Sequence, residues 1–350
     1  MHATARKRDD RPLMFSEPRE RDFEPVPPRS PRVEYRDGRN APIPENALAV
    51  VRFSDPAHIE GGGPLTVGVG LTAAGELAAD AIWCGAGPVT SGRREKVRFA
   101  HDADFLFGVI EAREADYPDI RGATTAVYAA IDAFQRGSAF PYLLRMWNFI
   151  DAVNEGAGDL ERYRQFCIGR AEGFGESLRA GYPAATAIGR QQPNGLVQVF
   201  WVAARTPGTP VENPRQVSAY RYPRTHGPVS PSFSRATVLA DGTLLISGTA
   251  SIVGHASQHP NDWVAQLAET LRNLDSLIAH ARQHRNAIVT DGEMLLTVYI
   301  RERSQENAIA ERIRTAFPNA RTIFVAADIC RRELLLEIEC VVQPVSRAAD

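Results

Sequence analysis

Glu337 and Glu339 stand two residues apart near the C-terminal end of the sequence, in the run AADICRRELLLEIECVV over residues 326–342. From Leu334 onward apolar and charged residues alternate with the two-residue period of a strand. Leu334, Leu336, Ile338 and Cys340 share one face, and Leu335, Glu337, Glu339 and Val341 share the other. At a rise of ~3.4 Å per residue, the two carboxylates project from the same side roughly 7 Å apart. A half-exposed strand would leave both solvated. Held among apolar neighbours instead, a glutamate keeps its proton to higher pH, because desolvation penalises the ionised form, and it becomes a proton donor. Glu337 is the candidate for that role and Glu339 the fallback, with Arg331 and Arg332 just ahead of the alternating part.

Other groups with chemical potential are less organised. The glycines at 61 to 63 lack the lysine of a phosphate loop and the strand–GxGxxG–helix context, so they read as a turn. The eight histidines show no HExxH or similar ligand spacing, and His255 and His259 read as loop residues. The four cysteines (Cys84, Cys167, Cys330, Cys340) form no CxxC pair, which favours reduced thiols over a disulfide framework. Neither a metal nor an organic cofactor is expected.

The chain has 350 residues, long for one core, so two domains are expected. Forty basic residues stand against 42 acidic ones, a balance that argues against nucleic acid or an anionic membrane as partner. It leaves room for a local basic pocket that takes a small anion. The first residues are charged, and no apolar run reaches the ~18 residues of a membrane span. A cytoplasmic protein is expected.

Residues 1–45, rich in Pro, Arg, Asp and Glu, read as an irregular arm laid over the surface, anchored by Phe23 and Tyr35. An N-terminal domain is expected over 46–206 and a C-terminal one over 207–350, with PGTPVENP (207–214) as linker. The two parts show the same order of elements. PYLLRMWNFI matches EMLLTVYIRE as a strand, DLERYRQFCIGRAEGF matches SQENAIAERIRTAF as a helix, and LVQVFWVAA matches LLLEIECVV as a closing strand. TTAVYAAIDAFQRG and WVAQLAETLRNLDSLIAHA supply a further helix to each. This pattern implies a duplicated α+β unit with helices on one face of a mixed sheet, and a ligand site between the copies.

DGTLLISGTASI, ETLRNLDSLIAHA and LLLEIECVV resemble the RidA (YjgF-like) fold, so the expected architecture is two tandem RidA/YjgF-like units. More specifically, the chain resembles the chorismatase family. The resemblance rests on LLRMWNFIDAVNE, ERYRQFCIGRAEGF, SAYRYPRTHGPVSPSFSRA, LLISGTASIVGH and ICRRELLLEIE, five stretches in the expected order between residues 142 and 340. The first 120 residues contribute little to it.

That resemblance implies chorismate as a small-molecule partner, with a ring carboxylate, an enolpyruvyl ether bearing a second carboxylate, and an allylic hydroxyl. Arginine suits two fixed carboxylates, because its planar fork binds each at two points. Arg170, Arg224 and Arg235 lie in the family-like motifs and are the candidates, with Tyr163, Tyr220, Tyr222 and Thr249 for positioning. Cleaving the ether needs a proton on its terminal methylene, and the family's glutamate acid maps to Glu337. Water attack on the resulting cation gives pyruvate and a dihydroxycyclohexadiene carboxylate. Aromatisation instead gives pyruvate and a hydroxybenzoate. Gly248 and Cys330, seven positions before Glu337, match the pattern of the 3-hydroxybenzoate branch, with some 4-hydroxybenzoate as a side product. The hydrolytic branch has alanine at the glycine position. Cys330 is read as a pocket wall that orients the ring without reacting. Cys167 departs from the family pattern, which has asparagine there. Two other readings are an imine or enamine deaminase of the RidA type and a binding protein without turnover. The chain is expected as a monomer with internal pseudo-symmetry or as a small homo-oligomer.

Overall fold

Phe105–Arg113, Tyr142–Asp151, Ala184–Arg190 and Leu196–Ala204 are rich in the β-branched and aromatic residues that fit a buried pleated surface, and they centre a seven-stranded mixed sheet. The computed structural model describes residues 30–37, 42–60, 64–73, 79–175, 178, 181–283 and 292–345. Helix α1 (Ile120–Arg136) links Phe105–Arg113 to Tyr142–Asp151. Helix α2 (Arg162–Gly173) then makes the crossover that parallel pairing of Tyr142–Asp151 with Ala184–Arg190 requires. Leu196–Ala204 closes the unit antiparallel, lying between Tyr142–Asp151 and Phe105–Arg113.

A second seven-stranded sheet repeats the plan. Leu244–Thr249 leads into α3 (Trp263–Ala281), Glu293–Ile300, α4 (Glu306–Ala316) and Arg321–Ala326, which pairs parallel with Glu293–Ile300. Leu336–Gln343 closes it, antiparallel between Leu244–Thr249 and Glu293–Ile300. Asp119 and Asp262 cap α1 and α3 by accepting from the amides of Gly122 and Ala265. The fold is α+β, with two tandem units of the same plan, each a mixed sheet with helices on one face, as expected.

A third, five-stranded sheet gathers Arg32–Asp37, Ala47–Arg52, His58–Glu60, Leu65–Gly68 and Ala79–Cys84. The inner faces of all three sheets share one core. Val51 and Trp83 of the five-stranded sheet meet Phe107 and Phe200 of the first unit and Leu245 and Val341 of the second. On the outer faces, α1 packs Val127 and Phe134 over Val199 and Trp201, while α3 packs Leu267 and Leu274 over Leu336, Ile338 and Cys340. Each unit's sheet also receives a strand from outside it. Asp328–Ile329 pairs with Ala184–Arg190 of the first sheet, and Thr72–Ala73 pairs with Arg321–Ala326 of the second.

Two sequence expectations change here, and two readings gain detail. The arm read as irregular to residue 45 contains the strand Arg32–Asp37, because its Val33 and Tyr35 alternate into the shared core. The run 326–342 is not one strand: Asp328–Ile329 crosses to the other unit, a turn follows, and pairing resumes at Leu336. Part of the expected linker, Thr209–Val211, is a strand paired with Ala236–Val238. The closing strand is buried on both faces, the setting that the proton-donor reading of Glu337 required, since a second sheet covers the side that carries Glu337 and Glu339. The glycine turn at 61 to 63 and the Phe23 anchor lie outside the described residues.

Tyr35 is buried with its hydroxyl 2.9 Å from Thr297 Oγ1. Its strand is fastened by a side-chain amide: Val33 N donates to Gln343 Oε1 at 2.9 Å, and Gln343 Nε2 donates to Val33 O at 2.8 Å. Gln343→Ala leaves both backbone groups of a buried residue without partners, so a loss of about 2 kcal/mol is expected. Denaturant unfolding of the two proteins measures it, and equal midpoints would count against this clasp.

Candidate active site

Where the two units meet, Ala185 N donates to Ser247 Oγ at 2.8 Å and Gly248 N donates to Thr186 Oγ1 at 3.0 Å. The register between Leu244–Thr249 and the closing strand slips between Ile246 and Thr249, a bulge that frees the Gly248 amide for this contact. Beside it opens a cavity of about 390 Å³. Ala185, Thr186 and Glu337 form its floor, α2 contributes Tyr163, Phe166, Cys167 and Arg170, and the turn after Ile329 contributes Cys330 and Arg331. The segment between the units closes the remaining side with Tyr222, Phe233 and Arg235.

Glu337 is 4% exposed and lies opposite Tyr299 on the neighbouring strand. Among the described residues nothing hydrogen-bonds its carboxyl. Burial, and after it the charge of Glu339, push its pKa from 4.5 up to about 8, against the pull of Arg145, Arg235 and Arg331. At neutral pH it therefore carries its proton. Gly248 makes the space it occupies, because a Cβ at that position would overlap the Glu337 carboxyl. Cys330 also belongs to this environment: burial and then Glu337 push its thiol up, so it stays protonated.

Glu339, two residues on, has a different environment. Its carboxylate receives hydrogen bonds from Arg145 at 2.8 Å, from Trp147 Nε1 at 3.0 Å and from Thr186 Oγ1 at 2.8 Å. It is an anion held in a buried pair, directed away from the cavity lining. One carboxyl of the two holds its proton in the cavity, and the other is paired with a buried guanidinium.

Arg170 donates to the carbonyl of Ser232 at 3.0 Å and lies over the rings of Tyr128 and Phe174. Arg235 donates to Val217 O at 2.9 Å and to Tyr222 Oη at 2.7 Å. Arg331 donates to His255 O at 2.9 Å and lies 5.1 Å over the Tyr222 ring. The buried Nε atoms of Arg170 and Arg235 have no partner among the described residues. Nor does any carboxylate among those residues lie within salt-bridge distance of these three guanidinium groups. A cavity that joins three such cations to a protonated carboxylic acid suits an anionic substrate that must receive a proton.

Residues 81–203 match the family model described as chorismatase FkbO/Hyg5-like, N-terminal. The chain is 34% identical over 324 residues to a 3-hydroxybenzoate synthase from Streptomyces hygroscopicus, covering 86% of this chain and 93% of that one. This chain belongs to the chorismatase family. A chorismatase from Streptomyces rapamycinicus is 36% identical over 274 residues, 74% of this chain and 81% of the relative. A chorismatase crystal structure matches with a TM-score of 0.80 at 30% identity, covering 90% of this chain and 98% of that one.

Of the residues expected from family resemblance, Glu337, Gly248, Cys330, Tyr163, Arg170, Tyr222 and Arg235 all border the cavity. Three do not. Arg224 is exposed and bonded to both carboxylate oxygens of Asp159, because its short turn directs it to the outer loop. Tyr220 stacks on Tyr182 at 4.8 Å instead. Thr249 follows Gly248 in the strand and so faces the other way, its hydroxyl donating to Ser247 O at 2.9 Å. Cys167, the departure from the family pattern, lines the cavity, and burial pushes its thiol up to about 12. Thr186 and Arg331 are cavity residues the motif reading did not select. For Arg331 the signal was present, since it sits in the same run as the acid. Thr186 becomes visible only once the sheets are side by side.

The raised pKa of Glu337 has a definite sign in stability. An unfolded chain releases this proton near pH 4.5, while the folded chain retains it to about pH 8. The contribution is fully present below the lower value and is lost as pH rises to the upper one. Glu337→Gln should remove that loss, so its stability advantage over the parent grows across this window. Unfolding curves at several pH values test it, and a constant difference between the proteins would contradict the assignment.

Proposed function

We propose that this chain cleaves the enolpyruvyl ether of chorismate, releasing pyruvate and 3-hydroxybenzoate. The observation that carries the reading is a carboxylic acid kept neutral inside a cavity whose cations lack carboxylate partners among the described residues. Chorismate is a dianion, and Arg170, Arg235 and Arg331 supply guanidinium forks for its two carboxylates. Tyr163 and Tyr222 offer flat faces against the ring. Glu337 delivers its proton to the methylene carbon and becomes a carboxylate beside the cation it has created, which it then stabilises. The ring carbon–oxygen bond of the ether then breaks, and its oxygen leaves as the keto oxygen of pyruvate. The substrate's own hydroxyl supplies the oxygen the aromatic product keeps. The ring proton lost on aromatisation balances the one Glu337 gave, so no net water is consumed.

The product branch follows from Gly248 and Cys330. Without a side chain at 248, the Glu337 carboxyl occupies space that an alanine methyl would take. The acid therefore sits closer to the Leu244–Thr249 strand than an alanine-bearing site allows. Cys330, a neutral thiol, borders the same cavity. Activity in the cytoplasm accords with four free cysteines. Among the described residues no helix is long and apolar enough to span a membrane. The shared core of three sheets lies within one chain and accords equally with a monomer of internal pseudo-symmetry and with a small homo-oligomer.

Incubation with chorismate, with pyruvate measured by a coupled assay and the ring product by chromatography, tests the activity. A deaminase of the RidA type or a binding protein without turnover would release no pyruvate. Glu337→Gln should lower turnover by at least roughly a hundredfold while the protein stays folded. In the parent, the rate should fall as pH rises through about 8, where Glu337 loses its proton. Gly248→Ala should shift product from 3-hydroxybenzoate toward the dihydrodiol, and an unaltered ratio would remove Gly248 as the branch determinant.

A further inference from the structure

Glu339 and Glu337 share the inner face of the closing strand, roughly 7 Å apart at the rise of an extended chain. Of the two, Glu337 alone borders the cavity. The other unit treats these carboxyls very differently. Strand Tyr142–Asp151 provides Arg145, 1% exposed, and the Trp147 indole, while strand Ala184–Arg190 provides Thr186. All three donate to Glu339. The Thr186 hydroxyl also accepts from the Gly248 amide at 3.0 Å, so one oxygen joins Glu339 to the residue that shapes the space around Glu337.

We propose that Glu339 is a positioning residue for the reaction: paired with Arg145 and anchored through Thr186, it keeps the neighbouring Glu337 protonated and in place. The charge logic is direct. Arg145 is a deeply buried cation that feels both carboxyls, and Glu339 neutralises it. Glu337 is then left beside a satisfied ion pair whose negative member acts on it more strongly than its positive one, in surroundings that disfavour a second anion. Without Glu339, Arg145 would take Glu337 as its counter-ion, and the proton donor would be lost at neutral pH. Other groups facing Glu337 are Arg235 from the segment between units, Arg331 and Cys330 from the turn, Tyr299 from the adjacent strand and Tyr163 from α2. None of these is hydrogen-bonded to Glu339, though the charge of Glu339 also acts on Tyr299.

The inference rests on Glu337 being the acid in the proposed reaction. The test is the pH profile of kcat/KM for pyruvate release from chorismate by the full chain. Glu339→Gln should move the alkaline limb to lower pH by at least about one pH unit, which means about a tenfold lower rate at any pH above the limb. Activity should return toward the parent value on the acid side. Glu339→Asp, which retains the charge, should restore the limb toward its original position. A Glu339→Gln profile that is merely scaled down at every pH, or one that is unmoved, overturns the role. Should Glu339→Gln not fold, Thr186→Val is the second variant, since it removes the hydroxyl that joins Glu339 to the Gly248 amide. A moved alkaline limb supports the arrangement, and an unmoved one overturns it. Pyruvate release that survives Glu337→Gln would instead refute the acid assignment itself, so the two failures are distinguishable.

Discussion

A carboxylic acid in this protein is kept from ionising by burial, with no hydrogen bond to its carboxyl among the described residues and with the nearby buried Arg145 already paired with Glu339. Glu337 meets that condition because its strand has no solvent face. Helix α3 covers one side and a second sheet covers the other. The cost of burying a polar group without partners is of the order of a few kcal/mol. Here the surrounding core of three sheets offsets it, and the proposed gain is a proton available at neutral pH.

The duplication explains why the acid arises in one unit and not the other. Leu196–Ala204 and Leu336–Gln343 are the closing strands of the two units, and Gln198 lies opposite Phe149 as Glu337 lies opposite Tyr299. Gln198 donates to Gly68 O at 2.9 Å and accepts from Arg190 at 3.1 Å. Its cleft is filled by the five-stranded sheet, whose backbone satisfies the amide. Glu337 instead faces the first unit across a gap, which Thr186 and Arg170 reach from a strand and a helix remote in sequence. The same plan yields a structural glutamine at one seam and a candidate catalytic acid at the other.

Period-two alternation placed the two glutamates on one face, and three- and four-residue spacing placed the helices, because both are properties of local geometry. The matching order of elements identified two α+β units for the same reason. Motifs then singled out most of the cavity: the residues of α2, the Gly248 bulge and the turn with Cys330 are each contiguous in sequence. What failed were side-chain directions in irregular segments. Arg224 and Tyr220 lie in the right stretch, yet a single short turn sends the first to Asp159 and the second to Tyr182. No periodicity governs such a stretch, so sequence spacing carries no orientation there.

By itself the sequence determined the repeated unit, the inward face of the closing strand and the residue types available for proton transfer and anion binding. Tertiary structure alone decided that Glu337 keeps its proton to higher pH while Glu339 is paired with Arg145, although both occupy equivalent positions in one alternating run. The reason is that protonation depends on what surrounds a carboxyl in space. Arg145, Trp147 and Thr186 lie 194, 192 and 153 residues from Glu339 along the chain. Docking of the two units brings those donors to one carboxyl and leaves the other without them.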